Sequence, residues 1–174
     1  MSATWFTIAV LLLGAQMAGH STHLPPTKVS AEPAVIVVPS AWSSARTKEF
    51  AVTVSDSLIK QLNRRREGQA LSLIDAVGLA GLGPLPSIDC LVARQVATKL
   101  GVPRVLCPAV LIDTQLRPIL EATLVDVPTG NAQVVGPFAA TDPGSAVHRM
   151  VESVSALLPS PADDMQTGLV SVRR

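Results

Sequence analysis

Aromatic side chains are scarce in this sequence of 174 residues: they account for 3% of it, and tyrosine is absent. Because proteins that read bases usually stack them on aromatic rings, a surface of that kind is not expected here. Charged residues are also few, at 16%, and the formal net charge is +1. The sequence therefore lacks the basic patch typical of nucleic-acid-binding proteins, and no nucleic acid is expected among its partners.

Residues that could carry out catalysis are just as sparse. Of the three histidines, His20 and His23 lie in a proline-containing stretch with no cysteine or carboxylate to complete a metal site. His148 is the only histidine in the predicted folded domain, and no Gly-x-Ser-x-Gly motif supplies a nucleophile for it. The sequence predicts no catalytic residue, metal ion or cofactor, so an enzyme such as a hydrolase is the least favoured function.

A long apolar run stands near the beginning of the chain. Residues 4–19 are uncharged and almost wholly apolar, and as a helix they would cover roughly 24 Å, a little less than the roughly 30 Å core of a bilayer. A retained membrane anchor, a cleaved signal peptide and a buried helix all fit this run. No Lys or Arg precedes it, and Gln16 disrupts the small-residue pattern expected before a cut after Ala18, which favours a transmembrane anchor.

The rest of the chain divides into three parts. Residues 20–34 are rich in Pro, Ser and Thr and predict a linker, residues 35–158 predict a folded domain, and residues 159–174 predict a flexible polar tail. With residues 1–19 as a single-pass anchor, the domain would lie on the side of the membrane away from the cytoplasm. If residues 1–19 are cleaved, it would be secreted.

The pattern of apolar residues within 35–158 predicts the fold. A β-branched run at Val35–Val38 is typical of a buried strand, and apolar residues at every fourth position between Thr47 and Arg66 indicate an amphipathic helix. The remaining elements are a strand at 70–75, a helix at 88–100, a hairpin within 103–127 that turns at 113–115, a strand at 132–140 and a helix at 144–158. This order, strand-helix-strand-helix-strand-strand-strand-helix, predicts an α/β (α+β) fold whose mixed sheet has about five strands with helices against it. Since Pro108 and Pro118 lack an N–H, both are expected at bulges or on unpaired stretches.

Two features of the domain are candidates for contact with other membrane or periplasmic proteins. The first is the loop 76–86, in which Leu79, Leu82 and Leu85 would face water unless a partner covers them. The glycines of this loop follow neither of the common phosphate-binding patterns, so a phosphate site is not expected there. The second is the basic end of the long helix, Arg64, Arg65 and Arg66, which could touch an acidic partner or anionic lipid but is also typical of a solvated helix end.

Cys90 and Cys107 are the two cysteines of the chain. In an oxidising compartment they could pair, and their positions in the predicted helix and strand put them at similar heights. The lateral separation argues against a bond, because helix and sheet axes pack about 10 Å apart whereas bonded cysteines need Cα atoms within about 7 Å. Three states stay open: two buried free thiols, which the lateral separation favours, a Cys90–Cys107 disulfide, and a cysteine linked to lipid or metal.

Parts of this pattern resemble a known family. The helix ending Leu100-Gly101-Val102, the strand ending Leu124-Val125-Asp126 with the turn Val127-Pro128-Thr129-Gly130, and the opening strand VIVVPSAW are similar to the TolB N-terminal domain and FlgO-type extracytoplasmic domains. The usual aromatic residue after the first proline is missing. The resemblance covers about residues 35–158 and implies a protein-interaction module of the bacterial envelope with no catalytic residues.

The sequence thus predicts a non-catalytic, membrane-anchored extracytoplasmic domain that binds other proteins as an accessory or structural subunit of an envelope complex. A soluble periplasmic module that binds a small ligand or senses a signal is the alternative. A deep apolar pocket with converging polar groups would favour that alternative.

Overall fold

The computed structural model describes residues 32–65, 69–85 and 87–158 of the chain. The predicted anchor at 1–19, most of the predicted linker and the predicted tail at 159–174 lie outside the described residues. No helix within the described ranges is long and apolar enough to cross a membrane.

The domain is built on one mixed sheet of six strands. The strands are β1 (Val35–Val37), β2 (Ala41–Trp42), β3 (Ala70–Ser72), β4 (Arg104–Ile112), β5 (Pro118–Asp126) and β6 (Ala132–Ala139). The order across the sheet is β3-β1-β4-β5-β6, with β2 pairing to β4 beyond the end of β1. Strands β1, β2, β3 and β4 are parallel, whereas β4, β5 and β6 form an antiparallel meander. The predicted mixed sheet with a meander in its second half is confirmed.

Within the described ranges, four helices cover the sheet: α1 (Ala45–Arg65), α2 (Leu73–Leu79), α3 (Cys90–Leu100) and α4 (Pro143–Leu157). Helices α1 and α4 enclose a first core on one face of the sheet, and α2 and α3 enclose a second core on the other face. Neighbouring residues of β4 show the alternation of a strand, because Leu106 belongs to the first core and Val105 to the second. The domain therefore has three layers, with the sheet in the middle.

The prediction for residues 70–86 was wrong in one respect. Strand β3 ends at Ser72, and helix α2 occupies Leu73–Leu79, where a longer strand and a loop were expected. The Ser72 hydroxyl accepts a hydrogen bond from the Asp75 N–H at 3.0 Å and donates one to the Asp75 carboxylate at 2.6 Å, which starts the helix. Leu73 and Ala76 are then buried at helical spacing. A short apolar run cannot show by its periodicity alone whether it forms strand or helix.

The short strand β2 was not predicted either. Like β1, it pairs with β4, and the two strands are separated by a break at Val38–Ser40, where Pro39 supplies no N–H for a ladder. Val38 N–H donates to Leu106 O at 2.9 Å and Ser43 N–H donates to Val110 O at 3.1 Å. Pro108 lies midway between those two acceptors on the same side of β4, so its missing N–H faces the gap between β1 and β2. The expectation of an unpaired position holds for Pro108 on this side alone, because on its other side Pro108 pairs with Ala122 of β5. Pro118, for which the same was expected, pairs with Ile112 as the first residue of β5.

The turn of the central hairpin is organised by Asp113. Its carboxylate accepts hydrogen bonds from the backbone N–H groups of Gln115 and Arg117, both at 2.8 Å, and from the Arg117 side chain at 2.9 Å. The bond from the Arg117 N–H, with smaller contributions from the Arg117 guanidinium, holds the pKa of Asp113 below its ordinary value. Leu116, at φ 60°, takes the left-handed position of this turn.

Candidate interaction surface

Among the described residues, five of the nine exposed large apolar side chains lie between α2 and the first turn of α3. The exposed fractions of Ile74, Leu79 and Leu91 are 70%, 68% and 66%, and Leu82 and Ile88 are also exposed. A run of 18 residues that leaves five large apolar side chains in water is unusual for a lone soluble domain. We call these five side chains the 74–91 surface.

Of the three predicted contact residues in this region, two lie on the surface itself. Leu79 and Leu82 are exposed, but Leu85 is half-buried and packs against the second core. Leu85 forms one wall of a groove of about 210 Å³ between α2 and the following chain. Every residue around this groove is apolar or glycine: Leu73, Ile74, Val77, Gly83, Pro84, Leu85 and Ile88.

A second groove lies on the other side of Ile74 and was missed by sequence reasoning. It measures about 220 Å³ and runs between the break at Pro39–Ser40, the start of α2 and the outer side of α1. Trp42 and Val52 line it, with exposed fractions of 50% and 62%. Val52 was the available signal, because it lies outside the four-residue apolar stripe of α1 and so had no reason to be apolar for packing in the core.

The chain between α2 and α3 is held at its far end by a cap and a covalent bond. Asp89 caps α3 by accepting from the Val92 N–H at 2.9 Å, and the Ser87 hydroxyl donates to the same carboxylate at 2.6 Å. These two hydrogen bonds, led by the one from Ser87, lower the pKa of Asp89 from its ordinary value. The next residue, Cys90, forms a disulfide with Cys107 of β4.

The disulfide corrects the interpretation of the cysteines as free thiols. The Cα atoms of Cys90 and Cys107 are 5.9 Å apart, within the range that a disulfide needs. The argument from axis separation overstated this distance for two reasons: the Cα atoms of a helix lie about 2.3 Å from its axis, and the first residue of α3 stands closer to β4 than the general spacing of about 10 Å. Both cysteines are half-buried and pack against the second core, where α3 meets β4.

The predicted arginines do not join the leucines in one patch. Helix α1 covers the opposite face of the sheet from α2, and Arg64 and Arg65 are exposed at its C-terminal end. Arg65 lies 3.5 Å from the carboxylate of Glu152 on α4, whereas Arg66 is outside the described residues. Two exposed arginines at a helix C-terminus are accounted for by the helix dipole and by this ion pair.

Groups suited to catalysis or metal binding do not converge in the part of the chain that the structure describes. His148 lies on the exposed side of α4, where its Nε2 is 3.4 Å from Glu152, itself exposed. Among the described side chains, no three of His, Cys, Asp and Glu are placed to hold a metal ion. The Asp126-Val127-Pro128-Thr129-Gly130 motif builds a turn: the Asp126 carboxylate accepts from the Thr129 N–H at 2.8 Å and hydroxyl at 2.6 Å, and also pairs with Arg104.

Comparison with known proteins finds structural likenesses at low identity and with TM-scores below 0.5. No family model matches the chain, and no curated protein matches it. The LpoB C-terminal domain from Escherichia coli is 21% identical, with a TM-score of 0.43 over 65% of this chain and 89% of that one. A PelC dodecamer from Paraburkholderia phytofirmans is 16% identical, with a TM-score of 0.43 over 74% and 89%. Lipoprotein GNA1162 from Neisseria meningitidis is 14% identical, with a TM-score of 0.40 over 72% and 95%.

These likenesses establish neither a family nor a function for this chain. The resemblance of residues 35–158 to TolB N-terminal and FlgO-type domains stays a prediction, since no family model supports it.

Proposed function

We propose that this chain is a non-catalytic protein-interaction domain of the bacterial envelope, in which the 74–91 surface binds another protein. The observation that carries the proposal is the exposure of Ile74, Leu79, Leu82, Ile88 and Leu91 on one continuous stretch of chain. Removing apolar side chains from water is favourable, so a partner that covers several of these residues would gain free energy from the contact.

The proposal extends to the membrane through the sequence before the domain. Residues 4–19 are apolar and uncharged, and a segment of that kind would tether the domain to the periplasmic side of an inner membrane. In that position the domain would act as an accessory or structural subunit of an envelope complex.

The alternative of a soluble ligand-binding module has less support. A small-ligand site usually combines an apolar pocket with a few converging polar groups. The groove beside α2 is lined by apolar residues and glycine, so it lacks polar groups that would orient a small ligand.

The test compares two variants of the full chain with a C-terminal tag in its native cells. Leu79→Glu combined with Leu91→Glu places two charges on the 74–91 surface, and Val134→Glu places one on exposed β6 as the control. Membranes are washed with high salt and extracted in mild detergent, and the purified species is sized and identified by mass spectrometry. We expect the unaltered chain and Val134→Glu to elute in a larger assembly, and the double variant to elute alone.

Equal thermal midpoints of the three proteins would show that the loss is not caused by unfolding. If the unaltered chain elutes alone, or if the double variant keeps the assembly, the proposed binding surface is wrong. If the chain appears without its first residues in the soluble periplasmic fraction, the anchor is wrong, and screening for small ligands becomes the next step.

A further inference from the structure

We infer that the surface of this chain that binds the partner extends past Ile74 into the second groove. The two grooves together receive one apolar segment of a partner protein, and this segment carries a basic side chain opposite Asp56. This inference rests on the proposed function, because it specifies which chemistry the protein partner presents. It adds Trp42, Val52 and Asp56 to a surface otherwise confined to residues 74–91.

The two grooves adjoin each other on either side of Ile74, and we call the pair the trough. Leu73 and Ile74 line both of them, and Ile74 is the most exposed large apolar residue of α2. On one side the trough leads to Val77, Leu85 and Ile88, and on the other it leads to Val52 and Trp42. Since the volumes are about 210 and about 220 Å³, the trough offers two adjoining places for large apolar side chains.

The second groove exists because β3 stops early. Strand β3 pairs with β1 only as far as Ser72, opposite Val37, and the chain then turns into α2. The edge that continues from β1 through Pro39 to β2 therefore has no strand beside it on the β3 side. The outer side of α1 and the start of α2 stand on either side of this open edge and form the walls of the groove.

This open edge is poorly suited to accept an added strand. Pro39 has no N–H, and the Ser40 N–H already donates to Ser55 Oγ at 2.7 Å. Two successive positions therefore cannot donate to a β-strand laid beside them. An occupant would be held by its side chains, as when the apolar face of a helix lies in a groove.

Charge then distinguishes a protein segment from lipid. Asp56 is the one charged residue among those lining either groove, and it is exposed on α1. Exposed charges of both signs flank the trough: Asp75 follows Ile74, Glu49 lies seven residues before Asp56 on the same side of α1, and Lys60 lies four residues after it. Lys48 lies over the Trp42 ring, 6.0 Å from its centre, at the outer end of the second groove. Asp56, as the charge that lines the groove itself, favours a segment with Lys or Arg beside its apolar residues over an anionic lipid headgroup.

The test uses photo-crosslinking in native cells, with a benzophenone amino acid placed in the full chain at Val52 or at Leu79. Position 52 reports on the second groove, and position 79 reports on the 74–91 surface alone. Three charge variants are combined with each probe: Asp56→Lys, Asp56→Asn and, as a control, Glu32→Lys, an exposed acid before β1. The crosslinked partner peptide is mapped by mass spectrometry.

We expect both positions to crosslink to the same protein, in a peptide with Lys or Arg close to apolar residues. Asp56→Lys should lower the yield at position 52 roughly tenfold, with a smaller loss for Asp56→Asn, because a like charge would then face the partner. Glu32→Lys should change the yield by less than about twofold. The Asp56→Asn variant keeps the test valid if Asp56→Lys affects folding.

Several results would overturn the inference. A crosslink to lipid, to a second copy of this chain or to residues 1–31 of the same chain would identify a different occupant. An acidic partner peptide, or a yield at position 52 that does not respond to Asp56→Lys, would remove the charge argument. A protein crosslink at position 79 but none at position 52 would leave the proposed function standing and this extension wrong, whereas no protein crosslink at either position would count against both.

Discussion

The hydroxyl of Ser55 supplies hydrogen-bond partners for the backbone at Val38–Ser40, where the chain leaves the sheet between β1 and β2. It lies on α1 and accepts a hydrogen bond from the Ser40 N–H at 2.7 Å, and it contacts Val38 O at 3.3 Å and Ser40 Oγ at 3.0 Å. Both serines are buried, so water cannot easily satisfy the groups that Pro39 removes from the ladder. A small polar side chain in the middle of an amphipathic helix is thus explained by a break in a strand seventeen residues earlier in the chain.

Replacing this serine should cost more than a surface serine does. Ser55→Ala leaves the buried Ser40 N–H and Val38 C=O without a partner, so we expect the free energy of unfolding to fall by about 1–3 kcal/mol. Ser57→Ala, on the same helix, is the matched control and should change it by less than about 0.5 kcal/mol. Urea unfolding of both variants is the measurement, and equal losses would show that Ser55 has no special role at the break.

The segment between α2 and α3 is an element whose position depends on a covalent bond. Cys90 begins α3 and Cys107 lies in the central strand β4, so the disulfide ties the end of this segment to the middle of the sheet across 17 positions of sequence. Ile88 and Leu85, which line the groove beside α2, lie within five residues of Cys90. The bond therefore constrains the position of Leu85 and Ile88, which line the groove beside α2.

Removing the bond should lower stability and loosen this segment. For a loop of this length, Cys90→Ala combined with Cys107→Ala should reduce the free energy of unfolding by about 3 kcal/mol. Hydrogen exchange of the first amides of α3 should quicken relative to those of β5. Adding a reductant to the unaltered domain should produce the same change and should leave the double variant unaffected. An unaltered domain that is insensitive to reduction would mean that the bond contributes little.

At the scale of the whole molecule, a single sheet separates two cores. The cores share no side chain, but both are built on the same strands. Leu58, Leu106 and Met150 are fully buried in the first core, while Leu73 and Val105 are buried in the second. Because β1, β4 and β5 contribute to both cores, neither core can be lost without exposing the other face of the same strands. We therefore expect the domain to unfold as one cooperative unit.

Truncation of one large residue in each core tests this expectation. Leu106→Ala and Leu73→Ala should each lower the free energy of unfolding by about 2–5 kcal/mol, since each leaves a cavity at a buried site. The exposed Leu79→Ala is the control and should cost less than about 0.5 kcal/mol. In a fragment of residues 32–158, Trp42 is the sole tryptophan, so its fluorescence and far-UV circular dichroism can be compared. Different midpoints for the two probes would show that the cores unfold separately.

Much of the fold could be predicted because its elements carry their own periodic signals. The four-residue apolar stripe of α1, the long hairpin strands β4 and β5 and the turn at Asp113 each depend on neighbours close in sequence. The prediction for residues 70–79 failed because a run of apolar side chains fits a buried strand and a buried helix equally. The cap that Ser72 provides decides for the helix. The sequence could not decide whether Cys90 and Cys107 form a disulfide, because this depends on how closely the inner side of α3 approaches β4.

The sequence by itself determined the order of elements apart from β2 and α2, the mixed sheet with its meander and the apolar character of the chain around Leu79 and Leu82. Tertiary structure alone decided that β2 extends the edge of β1, that Cys90 meets Cys107, and that Val52, Trp42 and Ile74 line one groove. The physical reason is the range of the interactions involved. Periodicity records which side of an element is buried, whereas a groove between elements depends on where a neighbouring strand stops, and here β3 stops at Ser72.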